Sequence, residues 1–263
     1  MEHSWVKLEG VVNMRDMGGL PTTDGGRIAP GRLLRSDNLQ ELSEADIAHL
    51  LEVVGVTDVV DLRSHAEARA EGPGPLRAFE AVAHHHHSLY PDDEDVSGAE
   101  ALLLPWQRED DTREQLAGAP DDNFWSAHYL RYLARRPDSV LAALQVIATS
   151  EGATLVHCAA GKDRTGTVVG LALSVAGVPA EHIVADYAAS AERIERIIER
   201  LSRRPAYAEH LQGQSVDAQT PRAETMRALL QTLEEHYGGA AGWLVRNGWE
   251  SEQIDKLRQA LRA

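Results

Sequence analysis

The chain has a single cysteine, Cys158, in 263 residues. One thiol excludes an intrachain disulfide and any metal site built from several thiolates. Positive charge is also scarce: 26 lysines and arginines stand against 41 aspartates and glutamates, a net charge of −15. Nucleic acid and anionic membranes are bound through basic faces, so neither is an expected partner. The same charge repels anionic substrates, so a phosphate site in this chain has to be locally cationic. Long apolar runs are missing too. The longest, roughly Thr167 to Val178, is too short and glycine-rich to cross a bilayer, which takes about 20 residues, and no integral membrane segment is expected. The opening MEHSWVKLEG has no apolar core of the signal-peptide kind. What is plentiful is apolar content, 43%, enough for a sizeable core in one large or two small domains.

Turn signals divide the chain into alternating strands and helices. Gly26 to Asp37 reads as short strands, followed by a helix capped by Ser43 and stopped at Gly55. VTDVVDLRS is a β-branched, buried strand that gives way to a helix at the capping box Ser64-His65-Ala66-Glu67. RAFEAVAHHHHSLY reads as a strand leading into the acidic loop PDDEDVSG. Helices follow at roughly Asp122 to Ala134 and Pro137 to Thr149, then a third core strand, Ala153 to Cys158, and a helix from Arg164 to Ala176. The pattern predicts an α/β fold with a mostly parallel sheet covered on both faces. Ligands bind beyond the carboxyl ends of such strands, and Cys158 sits at one. The last third is helical. Ile194, Ile197, Ile198 and Leu201 form one apolar stripe, and a polar break from Pro205 to Pro221 suits a mobile connection before the helix Arg222 to His236. A short terminal helix is expected from about Glu252 to Leu261.

The cysteine lies in VHCAAGKDRTG, Val156 to Gly166. A turn entering a helix leaves several backbone N–H groups pointing one way, which makes an anion cradle. The amides of Ala159, Ala160, Gly161, Lys162, Asp163 and Arg164 would line it. Gly161 permits close approach of the backbone to a ligand, and Gly166 permits close packing of the helix start. A cysteine held over this field is expected as the thiolate. Arg164 can grip two phosphate oxygens as a planar fork, and Thr165 can donate its hydroxyl to the sulfur. These parts fit phosphoryl transfer to sulfur and hydrolysis of the phosphocysteine, with inorganic phosphate as product. The nucleotide P-loop fails, because Asp163 stands where a magnesium-binding Ser or Thr is required. A buried, merely structural cysteine would leave His157, Gly161, Arg164, Thr165 and Gly166 to coincidence.

His157-Cys158-x5-Arg164-Thr165 resembles the signature loop of the cysteine-dependent protein-tyrosine phosphatases. The fuller string HCAAGKDRTG resembles the bacterial branch similar to mycobacterial secreted protein-tyrosine phosphatase B. Asn13 to Leu20, Leu33 to Leu39, Asp61 to Glu67, Asp186 to Ser190 and Tyr237 to Leu244 also resemble segments of that branch. The resemblance implies a single tyrosine-phosphatase-like domain over residues 1–263, with residues 188–236 as a helical lid region. It implies a phosphorylated protein as substrate, or a phosphoinositide, and no cofactor. It also makes export without a signal peptide an alternative to a cytoplasmic location.

The leaving oxygen needs a general acid, and three carboxylates compete. The resemblance implies an acid at Asp163, beside Lys162, which reads as a second cation for the phosphate. Asp61 ends a core strand at the ligand-binding edge and is either a helper or a holder of Arg63. The run Asp92, Asp93 and Asp95 follows a strand but reads as a solvated loop. Two rivals use other chemistry: a silent phosphate-binding module, and sulfur transfer of the rhodanese kind. His84 to His87 place at most two imidazoles on one strand face, so no metal site is expected.

Overall fold

The structure is a computed structural model that describes residues 4–91 and 124–263. Five strands form one sheet: β1 Arg15–Asp16, β2 Leu33–Ser36, β3 Val56–Asp61, β4 Ala83–His86 and β5 Ala153–His157, in the order β1-β2-β5-β3-β4. β5 pairs parallel with β2 and β3, β3 pairs parallel with β4, and only β1 runs antiparallel. The expected mostly parallel sheet is therefore what the chain forms. β5 is central and buried along its whole length, as the unbroken run ATLVH requires.

Successive side chains face opposite sides, so each core strand feeds two cores. Leu33, Val60 and Val156 enter the larger one, with helices Phe124–Arg135, Pro137–Thr149, Asp163–Val175, Ala180–Ala189, Ala223–Tyr237, Ala240–Arg246 and Ser251–Leu261. Leu34, Val59 and Leu155 face the other, under Ile47, Leu50 and Leu76. The segment capped by Ser43 begins as the helix Glu44–Ala48 and continues as π-helical turns over His49–Val54, ending at Gly55 with φ 75°. The capping box at Ser64 forms as the sequence predicts and opens the helix His65–Glu71. No helix among the described residues is long and apolar enough to cross a membrane.

One expectation is corrected. The polar stretch after the helix Ile194–Ser202 folds into two short helices, Pro205–Leu211 and Val216–Gln219. Its polar residues conceal two apolar anchors: Ala206 and Tyr207 are buried with Ile197, Leu201 and the cysteine-loop residue Ala159. Sequence composition reports the exposed majority of such a segment and misses the few side chains that dock it. Charge fixes the preceding helix as well. Arg200 pairs with buried Asp37 and with Glu41, and donates to the Gly10 carbonyl at 2.5 Å. Burial raises the pKa of Asp37, and Arg200 opposes that shift. Arg200→Ala would leave a buried carboxylate with its cation gone. A loss of ~3 kcal/mol in urea unfolding is the expected outcome; a loss below about 0.5 kcal/mol would place the pair among ordinary surface bridges.

Candidate active site

Cys158 follows the last residue of β5 and is 2% exposed. The loop after it is held from behind. The Ala159 carbonyl accepts from the Asn38 amide at 2.9 Å. Asn13 Nδ2 donates to the carbonyls of Ala160 at 2.9 Å and Gly161 at 3.2 Å. Arg35 Nη2 donates to those of Gly161 at 2.7 Å and Lys162 at 3.3 Å. In a trans peptide the carbonyl and the next N–H point in opposite directions. Four carbonyls tied to the body therefore turn the N–H groups of Ala160, Gly161, Lys162 and Asp163 the other way, as an anion cradle requires.

Asn13 and Arg35 are themselves held. Asp186 accepts from Arg15 Nε at 2.9 Å and Arg35 Nη1 at 2.5 Å. Arg15 also donates to the Asn13 side-chain oxygen at 2.5 Å and to Ser190 Oγ at 3.2 Å. Burial raises the pKa of Asp186, but the two guanidiniums outweigh it and hold it at about 2. Burial lowers Arg15 to about 10 against the pull of Asp186, so it stays charged at neutral pH. Two cations and one anion leave a net positive charge beneath the loop. This supplies the local cationic site that an acidic chain needs.

Arg164 stands on the first turn of the helix Asp163–Val175. Its Nη1 and Nη2 donate to Glu67 at 2.5 and 2.9 Å, and its guanidinium lies 5.3 Å from the Tyr90 ring centre. Burial pushes Arg164 down, yet Glu67 and Cys158 drive it well above its usual value. Glu67 is fully buried and is also the N3 residue of the Ser64 capping box. One carboxylate thus ends a helix cap and orients the arginine, leaving the Nε side of the guanidinium as the remaining fork.

The remaining expected residues fall as follows. Asp163 accepts a hydrogen bond from Tyr129 and lies 3.5 Å from Lys162 Nζ. Lys162 is buried and donates to the Gln219 carbonyl at 2.6 Å, on the short helix Val216–Gln219. Thr165 is fully buried, and its hydroxyl has no hydrogen-bond partner among the described residues, so the expected bond to the sulfur is not made. Asp61 is committed to Arg63, through Nε at 2.9 Å and Nη2 at 2.6 Å, with His157 Nε2 at 3.7 Å. Burial raises its pKa, but His157 and Arg63 overcome this and hold it well below the carboxylate range. These contacts are those of a holder of Arg63. Asp92, Asp93 and Asp95 lie outside the described residues. The histidines of β4 bond to neighbours: His85 to Asp58 at 2.8 Å and His86 to the Arg63 carbonyl at 2.7 Å. Among the described residues no group of three His, Cys, Asp or Glu could hold a metal ion.

A sequence profile of the tyrosine phosphatase family matches residues 6–263. The chain belongs to the tyrosine phosphatase family. It is 30% identical to the triple specificity protein phosphatase PtpB of Mycobacterium tuberculosis, over 97% of this chain and 98% of that one. It is also 30% identical to a tyrosine-protein phosphatase of Nostoc commune, over 92% of this chain and 78% of the relative. A putative tyrosine-protein phosphatase of Cupriavidus necator is 32% identical over 70% of this chain and 62% of its own. Asn13, Arg15, Arg35, Glu67, Asp186 and Ser190 lie in segments that carry the family resemblance, but their local spacing does not give their contacts. Sequence reading misses Tyr129 altogether, since no motif flanks it.

Two tests follow from this geometry. Gly161 has φ 65°, and a Cβ there would stand 2.4 Å from the Ser36 carbonyl oxygen. Gly161→Ala is expected to cost at least ~2 kcal/mol by thermal or urea unfolding and to lose most phosphatase activity. Gly55→Ala, with φ 75° and open space around its Cβ, should cost only the backbone strain and keep activity. The second test is linkage. Burial lowers His157 to about 4, with Asp61 opposing. The unfolded imidazole binds its proton near pH 6.5, so stability is fully present above that pH and falls as pH drops towards 4. The full contribution is of order 3 kcal/mol. Urea midpoints for His157→Gln should decline less steeply than the parent's between pH 6.5 and 4, and parallel curves would refute the assignment.

Proposed function

We propose that this phosphatase hydrolyses protein phosphotyrosine through a phosphocysteine on Cys158. The observation that carries the reading is the cysteine at the end of the central strand, followed by a loop whose carbonyls are all drawn to the body, with Arg164 locked by Glu67. The Cys158 thiolate attacks phosphorus; the S–P bond forms as the bond to the leaving oxygen breaks. Loop amides and Arg164 hold the three equatorial oxygens. Asp163 gives its proton to the leaving oxygen, then takes one from the water that attacks phosphorus and releases the sulfur. Thr165, whose buried hydroxyl lacks a partner among the described residues, can donate to the sulfur as it leaves.

The substrate assignment follows the family and the names its relatives carry, one of which is a triple specificity phosphatase. The helical elaboration acts in this reading as a lid. Its support is the packing of Ile197, Leu201, Ala206 and Tyr207 with Ala159 and Ala160, and the bond from Lys162 to the Gln219 carbonyl.

The decisive measurement is phosphate release from an aryl phosphate in the presence of a metal chelator. Cys158→Ser should abolish turnover, and Arg164→Lys should lower it by about 10²–10³-fold while the fold is kept. Asp163→Asn should cost more on alkyl than on aryl phosphates, because the poorer leaving group needs the proton. Activity surviving in Cys158→Ser would identify another nucleophile. Phosphate binding without turnover in the parent would leave a binding module.

A further inference from the structure

We propose that Tyr129 is a positioning residue for proton transfer: its buried phenol holds Oδ1 of Asp163, so that Oδ2 alone carries the transferred proton. The inference rests on the reading of Asp163 as the general acid. Tyr129 lies on the helix Phe124–Arg135, is 1% exposed, and donates to Oδ1 of Asp163. Its oxygen is 2.7 Å from that of Tyr187, on the helix Ala180–Ala189, and the two rings meet edge-on at 6.2 Å.

A phenol has one proton to give. While Tyr129 gives its proton to Asp163, its oxygen can only accept, so Tyr187 is the donor between them. Burial and the Asp163 charge push the pKa of Tyr129 well above 10, and burial raises Tyr187 as well. Both phenols therefore remain protonated at working pH, and the chain of hydroxyls keeps one direction. A proton on Oδ1 would face the Tyr129 donor and displace it. Oδ2 instead faces Lys162 Nζ at 3.5 Å, a longer charge pairing that a proton disturbs less than it would the Tyr129 hydrogen bond. The network thus draws on two further helices to fix the rotation of one carboxylate. It leaves the oxygen beside the loop lysine to give its proton to the leaving group and later to take one from water.

The test compares kcat/KM, which reports transfer to the enzyme, across phosphate esters from nitrophenyl to alkyl. Tyr129→Phe should lose about tenfold or more on alkyl phosphates and less than about threefold on nitrophenyl phosphate. A loss of this size is a fraction of the about 10²–10⁴ that a general acid supplies. Affinity for inorganic phosphate should be unchanged. Tyr187→Phe should act in the same direction and more weakly. In an Asp163→Asn background, Tyr129→Phe should cause no further loss. Equal losses for every leaving group, or a full loss persisting in Asp163→Asn, would make Tyr129 a packing residue and overturn the proposal. If Asp163→Asn itself shows no leaving-group dependence, the acid assignment fails and this inference falls with it. If Asp163→Asn shows it and Tyr129→Phe does not, only the inference falls.

Discussion

The loop after Cys158 depends on Asp186 being buried between Arg15 and Arg35. Three charges out of water are costly unless each finds a partner, and removing one would strand the others. Here the carboxylate is shared by two guanidiniums, and their other nitrogens go to Asn13, Ser190 and the loop carbonyls, save Arg35 Nε, which has no hydrogen-bond partner among the described residues. The net positive charge that remains lies behind the loop. Its sign suits an anion in front, and its rigidity fixes which way the loop amides face. Peptide planarity converts the one into the other, since a carbonyl pinned at the back is an N–H presented at the front.

A second constraint connects the arginine to the sheet. Glu67 belongs to a helix that begins four residues after the end of β3, and Arg164 to a helix that begins six residues after the end of β5. β3 and β5 are hydrogen-bonded neighbours, so the two helix starts are brought side by side by the sheet itself. Glu67 serves both the Ser64 cap and Arg164: Oε2 accepts from the Ser64 amide and from Arg164 Nη1, and Oε1 accepts from Arg164 Nη2. This explains why a capping box, ordinarily a local device, coincides here with the site. Tyr90 adds the third wall, its ring close to the same guanidinium.

The fold was legible wherever a local pattern carried it. β-branched runs marked β3 and β5, Ser43 and Ser64 marked helix starts, and Pro137 marked another. The cysteine loop was legible because its chemistry is contiguous. What was not legible is convergence. Asn13, Arg35 and Asp186 are more than a hundred residues apart at the extremes, and nothing in their local spacing says that they meet under one loop. The docked helices after Ser202 were missed for a different reason: Tyr207 and Ala206 are two anchors among polar neighbours, too few to set a period. Asp61 illustrates a third limit. Its place at a strand end was read correctly, but whether such a carboxylate faces substrate or a neighbouring arginine depends on where the Arg63 side chain turns.

The loop lysine shows how the proposed chemistry and the covering helices belong to one design. Cys158, Lys162 and Arg164 are all buried, so in the proposed reading a phosphate ester would reach them once what covers them shifts. Apolar docking through Tyr207 and Leu201 favours the covered state. The bond from Lys162 Nζ to the Gln219 carbonyl also favours it, but weakly in net terms, because an ammonium can exchange a carbonyl for water or phosphate with little change in hydrogen bonding. A phosphate oxygen carries more charge than a carbonyl, so an arriving substrate competes well for that ammonium. Under the proposed lid reading, the side chain that steadies the cover is the one whose partner a substrate would replace. Binding and uncovering then draw on one interaction, and a ligand without a negatively charged group gains nothing from displacing Gln219.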